Sequence, residues 1–205
     1  MKKTQAIKCL FVDVGGVLLT NGWDHVARKA SAARFKLDAE AMEERHRLTF
    51  DTYEQGKITL DEYLNRVVFC EKRKFTRAEF RRFMFAQSQA YPDMLALVAG
   101  LKERHGLKIV VVSNEGRELT GYRIRKFKLA SFVDFFVSSC FVGLRKPDAR
   151  ILCLALDLAQ VPMEQTVYVE NTPMFAEVAQ GMGIRTILHT GCESTRAQFA
   201  SWGLR

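Results

Sequence analysis

Residues 7–20 read IKCLFVDVGGVLLT, an apolar run that ends on an aspartate, two glycines and a second apolar run. Ile7 to Val12 is rich in β-branched and aromatic residues and holds no turn former, the pattern of a strand buried on both faces in a parallel sheet. Asp13 falls where that strand ends. Gly15 and Gly16 have no Cβ, so the chain can turn sharply there and a ligand can approach the backbone. A carboxylate in such a place is costly to bury without a cation or donors. Capping of the following turn is the plain alternative role for it.

Working outward, the apolar period changes twice. From Trp23 to about Gln89, Val26, Ala30, Ala33, Phe35, Tyr63, Val67, Phe80, Phe83 and Met84 recur at helical spacing, which predicts a mostly helical block. EQGKITLDEY (54–63) interrupts it: Gly56 breaks the pattern, and Thr59 with Glu62 has capping-box spacing for a new helix. After Pro92 helices and strands alternate. A helix from Met94 to Arg104 closes near Gly106, and LKIVVVSN (107–114) reads as a second buried strand. A basic helix, the strand FVDFFVSS (132–139), a helix after Pro147, the strand TVYVEN (166–171), a helix from about Pro173 and the strand IRTILH (184–189) follow. Strands separated by helices imply right-handed crossovers and a doubly wound parallel α/β sheet. The helical block is then an insertion after the first strand, with a core of residues 1–19 and 91–205 and a helical cap of 20–90.

Composition sets the context. The 205 residues are 48% hydrophobic and 26% charged, enough for a full core. No apolar run approaches the roughly 20 residues of a membrane span, and the first residues lack a signal-peptide pattern, so a cytoplasmic protein without membrane partners is expected. Cys9, Cys70, Cys140, Cys153 and Cys192 are scattered without a C-x-x-C pair and read as buried thiols. The net charge of +8 gathers in EKRKFTRAEFRR (71–82) and YRIRKFKL (122–129). These match no nucleic-acid module and form no single stripe, so they read as solvated helix surfaces and no nucleic-acid partner is expected. A generally positive field favours anionic small substrates.

Four polar features fall at the ends of strands or in the loops beside them, where open α/β sheets bind ligands: Asp13, Ser113 with Asn114, Lys146, and Glu170 with Asn171. In sequence order FVDVGGVL, VVVSNEG, GLRKPDARI and TVYVENTPMFAEVAQGMGIRTIL resemble the motifs of the haloacid dehalogenase superfamily over nearly the whole chain. The helical cap and the Asp-x-Gly-Gly start are similar to that superfamily's small sugar-phosphate phosphatases. The resemblance implies a HAD-like, Rossmannoid core and a phosphatase acting on a small phosphorylated substrate. Asp13 would be the nucleophile, Ser113 would bond a phosphoryl oxygen with Asn114 beside it, and Lys146 would compensate charge. Mg²⁺ would be held by Asp13, the Gly15 carbonyl, Glu170 and Asn171. Trp23, His25 and Glu54, the last in the cap turn 53–58, are the candidates for substrate binding.

Two positions depart from the family pattern. Gly15 stands where a second aspartate usually serves as general acid and base, which leaves His25 or a water to protonate a leaving group. Asn171 puts a neutral amide where a carboxylate is common, which predicts weaker Mg²⁺ binding. These departures keep two alternatives open. One is a degenerate member that binds a phosphorylated metabolite or a protein partner without turnover. The other is a metal-independent haloacid dehalogenase, for which no halide pocket is evident. The oligomeric state is not readable.

Overall fold

In the computed structural model, which describes residues 6–205, five parallel strands form one sheet. They are β1 (Cys9–Val12), β2 (Lys108–Ser113), β3 (Phe135–Ser138), β4 (Thr166–Glu170) and β5 (Arg185–Leu188), in the spatial order β3-β2-β1-β4-β5. The order reverses at β1, and the C-terminal ends of β1, β2 and β4 converge there, the place where such sheets bind ligands.

Alternation along the strands sorts side chains into two apolar layers. Leu10, Val12, Ile109, Val111, Val167, Val169 and Ile187 pack with α6 (Pro92–His105) and with Phe199 of α11 (Cys192–Ser201). Cys9, Phe11, Val110, Val112 and Tyr168 face the other way, against Ile151, Leu152, Ala155 and Ala159 of α9 (Arg150–Ala159) and Ala179 of α10 (Pro173–Met182). Both faces of the sheet are covered, as the continuous apolar runs of β1, β2 and β4 require. The remaining crossovers contain α7 (Arg117–Lys126) and α8 (Ser139–Val142). Among the described residues no helix is long and apolar enough to cross a membrane.

Between β1 and α6 lie α1 (His25–Phe35), α2 (Ala39–Arg47), α3 (Phe50–Glu54), α4 (Leu60–Val67) and α5 (Arg77–Ala86). They gather a separate apolar cluster around Met42, Tyr53, Tyr63, Leu64, Phe80 and Met84, to which α7 contributes Leu119. The expected capping box forms at Thr59 and Glu62, and a second, not anticipated, forms at Thr76 and Glu79.

Several sequence expectations need correction. The first strand begins at Cys9, two residues later than the apolar run. Helix α1 does not bury Val26, which is 61% exposed, or Ala30 and Ala33; its inner face is Ala27, Arg28, Ser31 and Ala32. Only Cys9 and Cys140 are buried thiols; Cys70 and Cys153 are exposed and Cys192 is intermediate. Residues 71–76 form a loop leading into α5, and Arg123 in the second basic cluster is 1% exposed, so neither segment is simply a solvated helix surface. Helix α11 had no counterpart in the sequence reading.

Candidate active site

The pairing of β1 with β4 sets Phe11 beside Tyr168 and Val12 beside Val169, and the Asp13 amide continues it by donating to the Val169 carbonyl at 3.0 Å. With side chains alternating, Asp13 and Glu170 fall next to one another on the face that carries Phe11 and Tyr168. Two buried carboxylates need a cation. Lys146 supplies it: its Nζ lies 3.2 Å from Asp13 Oδ2 and 2.6 Å from Glu170 Oε2 and donates to the Tyr168 hydroxyl at 3.1 Å. The ammonium also lies over the rings of Tyr168 and Phe175. Burial opposes the charge on Lys146, but Asp13 and Glu170 together hold its pKa above the ordinary value.

Burial raises the Asp13 pKa to about 6, against the pull of Lys146. The Ser113 hydroxyl and the Val14 amide, 2.7 Å from Oδ1, also favour the ionised form. Asp13 is only 7% exposed, and Lys146, Ser113 and the Val14 amide together oppose the effect of that burial on its charge. Tyr168 donates to Glu170 Oε2, and the Thr172 amide donates to Glu170 Oε1 at 2.8 Å. Both oxygens of Glu170 are thus engaged, and its charge reaches the site chiefly through Lys146.

Ser113 ends β2 and points its hydroxyl at Asp13. Asn114, expected beside the substrate, instead has both ends of its amide occupied: Nδ2 donates to the Lys146 carbonyl and Oδ1 accepts from the Lys146 amide, each at 2.8 Å. It fixes the loop that delivers the lysine. Asn171 has its amide head against the Gly15 carbonyl at 2.9 Å and Glu170 Oε1 at 3.2 Å, with NH₂ turned inward. Turned the other way, the amide oxygen joins Gly15 O and Asp13 in a corner of hard oxygen donors. That corner fits Mg²⁺ retaining several waters. No cluster of three His, Cys, Asp or Glu suited to a metal occurs among the described residues, so the charge supplied is small.

Asp13, Gly15, Trp23, His25, Glu54, Ser113, Asn114, Lys146 and Asn171 line one cavity of about 360 Å³. Of the residues expected in the site, only Glu170 lies outside its lining, fully buried behind Lys146. Glu54 accepts from Arg145 at 2.7 Å, while Asp51 pairs with the same guanidinium. Burial raises the Glu54 pKa despite Arg145. Trp23 donates its indole N–H to the Tyr63 hydroxyl at 2.9 Å.

The sequence reading missed Arg28, His46, Phe50, Tyr53, Glu115, Arg123 and Phe175, which line the same cavity. It also missed Tyr168, which the period-two spacing from Glu170 could have revealed. The helical residues carried no motif. Arg28 is held by both carboxylate oxygens of Glu43. Arg123 pairs with buried Glu115 at 2.5 Å, and it donates to Ser88 Oγ and the Thr20 carbonyl, so it grips both chain segments that join the helical block to the sheet.

A family model described as haloacid dehalogenase-like hydrolase matches residues 7–183. A glyceraldehyde 3-phosphate phosphatase of Methanothermobacter thermautotrophicus is 27% identical over 176 residues, covering 80% of this chain and 77% of that protein. A protein of Caldanaerobacter subterraneus named as a candidate pyrophosphatase, PpaX, is 30% identical over 95 residues, 46% of this chain; this chain spans 43% of it, less than half its length. Among solved structures, a HAD-family enzyme of Bacteroides thetaiotaomicron, in complex with magnesium and inorganic phosphate, superposes with a TM-score of 0.74 at 21% identity. The match covers 89% of this chain and 93% of that one.

Proposed function

Since this chain belongs to the haloacid dehalogenase-like hydrolases, we propose that it is a phosphatase acting on a small phosphomonoester, with sugar phosphates among the candidate substrates. The observation that carries this is Asp13 held between Ser113 and Lys146 in the wall of the cavity, with the Val14 N–H on its other oxygen. An Asp13 oxygen attacks phosphorus, the bond from phosphorus to the leaving oxygen breaks, and an aspartyl-phosphate forms. Attack of water on phosphorus then breaks the bond to Asp13 and releases inorganic phosphate. Lys146 and Ser113 face the transferring group, and Lys146 offsets its charge throughout. No side chain at Gly15 can protonate the leaving oxygen, so His25, exposed at the cavity, or a water fills that role.

Mg²⁺ would be held by Asp13, the Gly15 carbonyl and Asn171, with Glu170 contributing charge from behind. It would neutralise phosphoryl oxygens and fix their orientation. The relative named as a phosphatase and the neighbour solved with magnesium and phosphate support this reading. We assign residues 6–19 and 91–205 to the core and 20–90 to the cap, the expected core residues 1–5 lying outside the described residues. The missing acid at Gly15 favours one alternative, a member that binds phosphorylated compounds without turnover.

The test is hydrolysis of phenyl phosphate and of a sugar-phosphate panel with Mg²⁺ present. Phenyl phosphate has a good leaving group and turns over even without general-acid help. Rapid turnover that disappears in Asp13→Asn supports the proposal. Binding of phosphorylated compounds without hydrolysis of any of them establishes the alternative.

A further inference from the structure

His46 lies in α2, far in sequence from every motif, yet it lines the same cavity as Asp13 and is only 9% exposed. Its Nδ1 is 2.7 Å from the Tyr63 hydroxyl, and that hydroxyl also receives the Trp23 indole N–H at 2.9 Å. An indole nitrogen can only donate. The phenolic oxygen therefore accepts from Trp23, and its own proton has one neighbour left to go to, Nδ1 of His46. A neutral imidazole that accepts at Nδ1 carries its proton on Nε2.

The ring is neutral because burial, with Arg28 nearby, lowers its pKa from 6.5 to about 4. It is also fixed in place, stacked on Phe50 at 5.0 Å and edge-on to Tyr63 at 6.0 Å. The relay that aims it is anchored in turn: the Trp23 carbonyl accepts from Arg28 at 2.8 Å, and Arg28 is locked to Glu43. Nε2 has no hydrogen-bond partner among the described residues. An oriented donor left open in a cavity wall penalises any ligand that covers it without accepting its proton.

We infer that His46 is a specificity-determining residue whose Nε2–H donates to a hydroxyl or carbonyl oxygen on the leaving-group side of the substrate. This rests on the phosphatase reading and adds to it the selection of oxygenated over deoxygenated phosphomonoesters of the same shape. Lys146 and Ser113 handle the phosphoryl group, and they treat every phosphomonoester alike. A neutral donor offers direction without charge, and hence discrimination between a hydroxyl and a hydrogen at one position.

The experiment compares matched pairs: glycerol 3-phosphate with propyl phosphate, and glucose 6-phosphate with cyclohexylmethyl phosphate. Phenyl phosphate is the control without an acceptor. Wild type is expected to favour the oxygenated member of at least one pair by about tenfold or more in kcat/KM. His46→Phe reduces that preference to within about threefold, mainly through KM, and leaves phenyl phosphate within about threefold of wild type. His46→Gln, which keeps an N–H donor, retains part of the preference. Tyr63→Phe, which removes the proton that sets the tautomer, loses part of it. Nitrogen NMR of His46 in the wild-type protein shows the Nε2–H tautomer across about pH 6 to 8.

An unchanged preference in His46→Phe, a uniform fall that includes phenyl phosphate, or an Nδ1–H tautomer overturns the inference. If His46→Phe does not fold, Tyr63→Phe and the NMR tautomer still decide it. When wild type hydrolyses phenyl phosphate but discriminates within neither pair, the assignment of His46 fails and the phosphatase reading stands. With no hydrolysis of any phosphate, the phosphatase reading fails and the inference falls with it.

Discussion

Removing the Arg123 guanidinium by Arg123→Met is expected to be among the most damaging single changes outside the catalytic residues. Arg123 is 1% exposed and Glu115 is 7% exposed, so the variant leaves a carboxylate buried without its partner. Breaking a buried pair in this way costs about 3–5 kcal/mol. The Thr20 carbonyl also loses a 3.0 Å donor. In a chain of this size each kcal/mol lowers Tm by about 2–4 °C, so a fall of roughly 10 °C is expected. The pH dependence gives a second signature. Burial already pushes the Glu115 pKa from 4.5 up to about 7, with Arg123 pulling it down. A raised folded-state pKa means that the folded chain binds more protons, so stability falls as pH rises from 4.5 to 7 in both proteins. Above pH 7 the wild-type contribution levels off. In Arg123→Met the pKa rises further and stability continues to fall, by about 1.4 kcal/mol for each added pKa unit. Urea unfolding at several pH values, with Glu115→Gln and the double variant completing a cycle, measures both effects. A cost below about 1 kcal/mol, typical of an exposed arginine, or a penalty that does not grow above pH 7, would refute the reasoning.

Asp13→Asn should abolish phosphatase activity while the circular dichroism spectrum stays that of wild type, because the nucleophilic charge is lost at nearly constant volume. His46, with its pKa lowered to about 4, makes the unfolded chain the better proton binder between pH 4 and 6.5, so stability drops as pH falls through that window. Urea titrations should show a loss of up to about 3 kcal/mol that is absent in His46→Phe. Gly116→Ala would place a Cβ 2.0 Å from the Tyr53 ring, which is 4% exposed, and should cost about 1–3 kcal/mol and displace α3 from the cavity wall; thermal unfolding reads the cost. Asn171→Asp should tighten Mg²⁺ binding in titration calorimetry, each tenfold corresponding to about 1.4 kcal/mol, and unchanged affinity would remove Asn171 from the metal shell.

The centre of the sheet was readable because β1, β2 and β4 are buried on both faces and so appear as unbroken apolar runs with polar residues at or just past their ends. Asp13, Ser113, Glu170 and Asn171 stood out for that reason, since position at a strand end is written in one dimension, whereas Lys146, in the loop between α8 and α9, stood out by its motif. Residues brought in by the helical block did neither. Helix α1 shows why, since its exposed Val26 is apolar while its buried face uses Arg28 and the small residues Ala27, Ser31 and Ala32. Ser31 lets α1 approach α2, its Oγ lying 3.8 Å from Met42 Sδ, and Arg28 is tolerated inside because Glu43 of α2 meets it with both oxygens. A pattern of hydropathy cannot announce a charge that is buried with a partner fifteen positions away. Arg123 was misread on the same ground, and His46 and Tyr53 left no sign at all, because their roles depend on Tyr63 and Gly116 meeting them in space.

The buried charges also bear on the departure at Asn171. Arg28 with Glu43 and Arg123 with Glu115 are each closed one-to-one pairs that owe little to a ligand. The site is different. Asp13 and Glu170 share the single ammonium of Lys146, so with both carboxylates ionised the group keeps one net negative charge. A phosphoryl group brings more negative charge to the same place, and at short range in a poorly solvated site that repulsion is large. Ser113 and backbone N–H groups give partial compensation only. A divalent cation beside Asp13 reverses the sign of the site, which is the physical reason to expect Mg²⁺ even though one carboxylate has become an amide. The amide has a corresponding advantage: it keeps the metal-free site from acquiring a second net negative charge. In this chain cation and phosphorylated substrate should therefore bind with mutual support, each offsetting the charge that opposes the other.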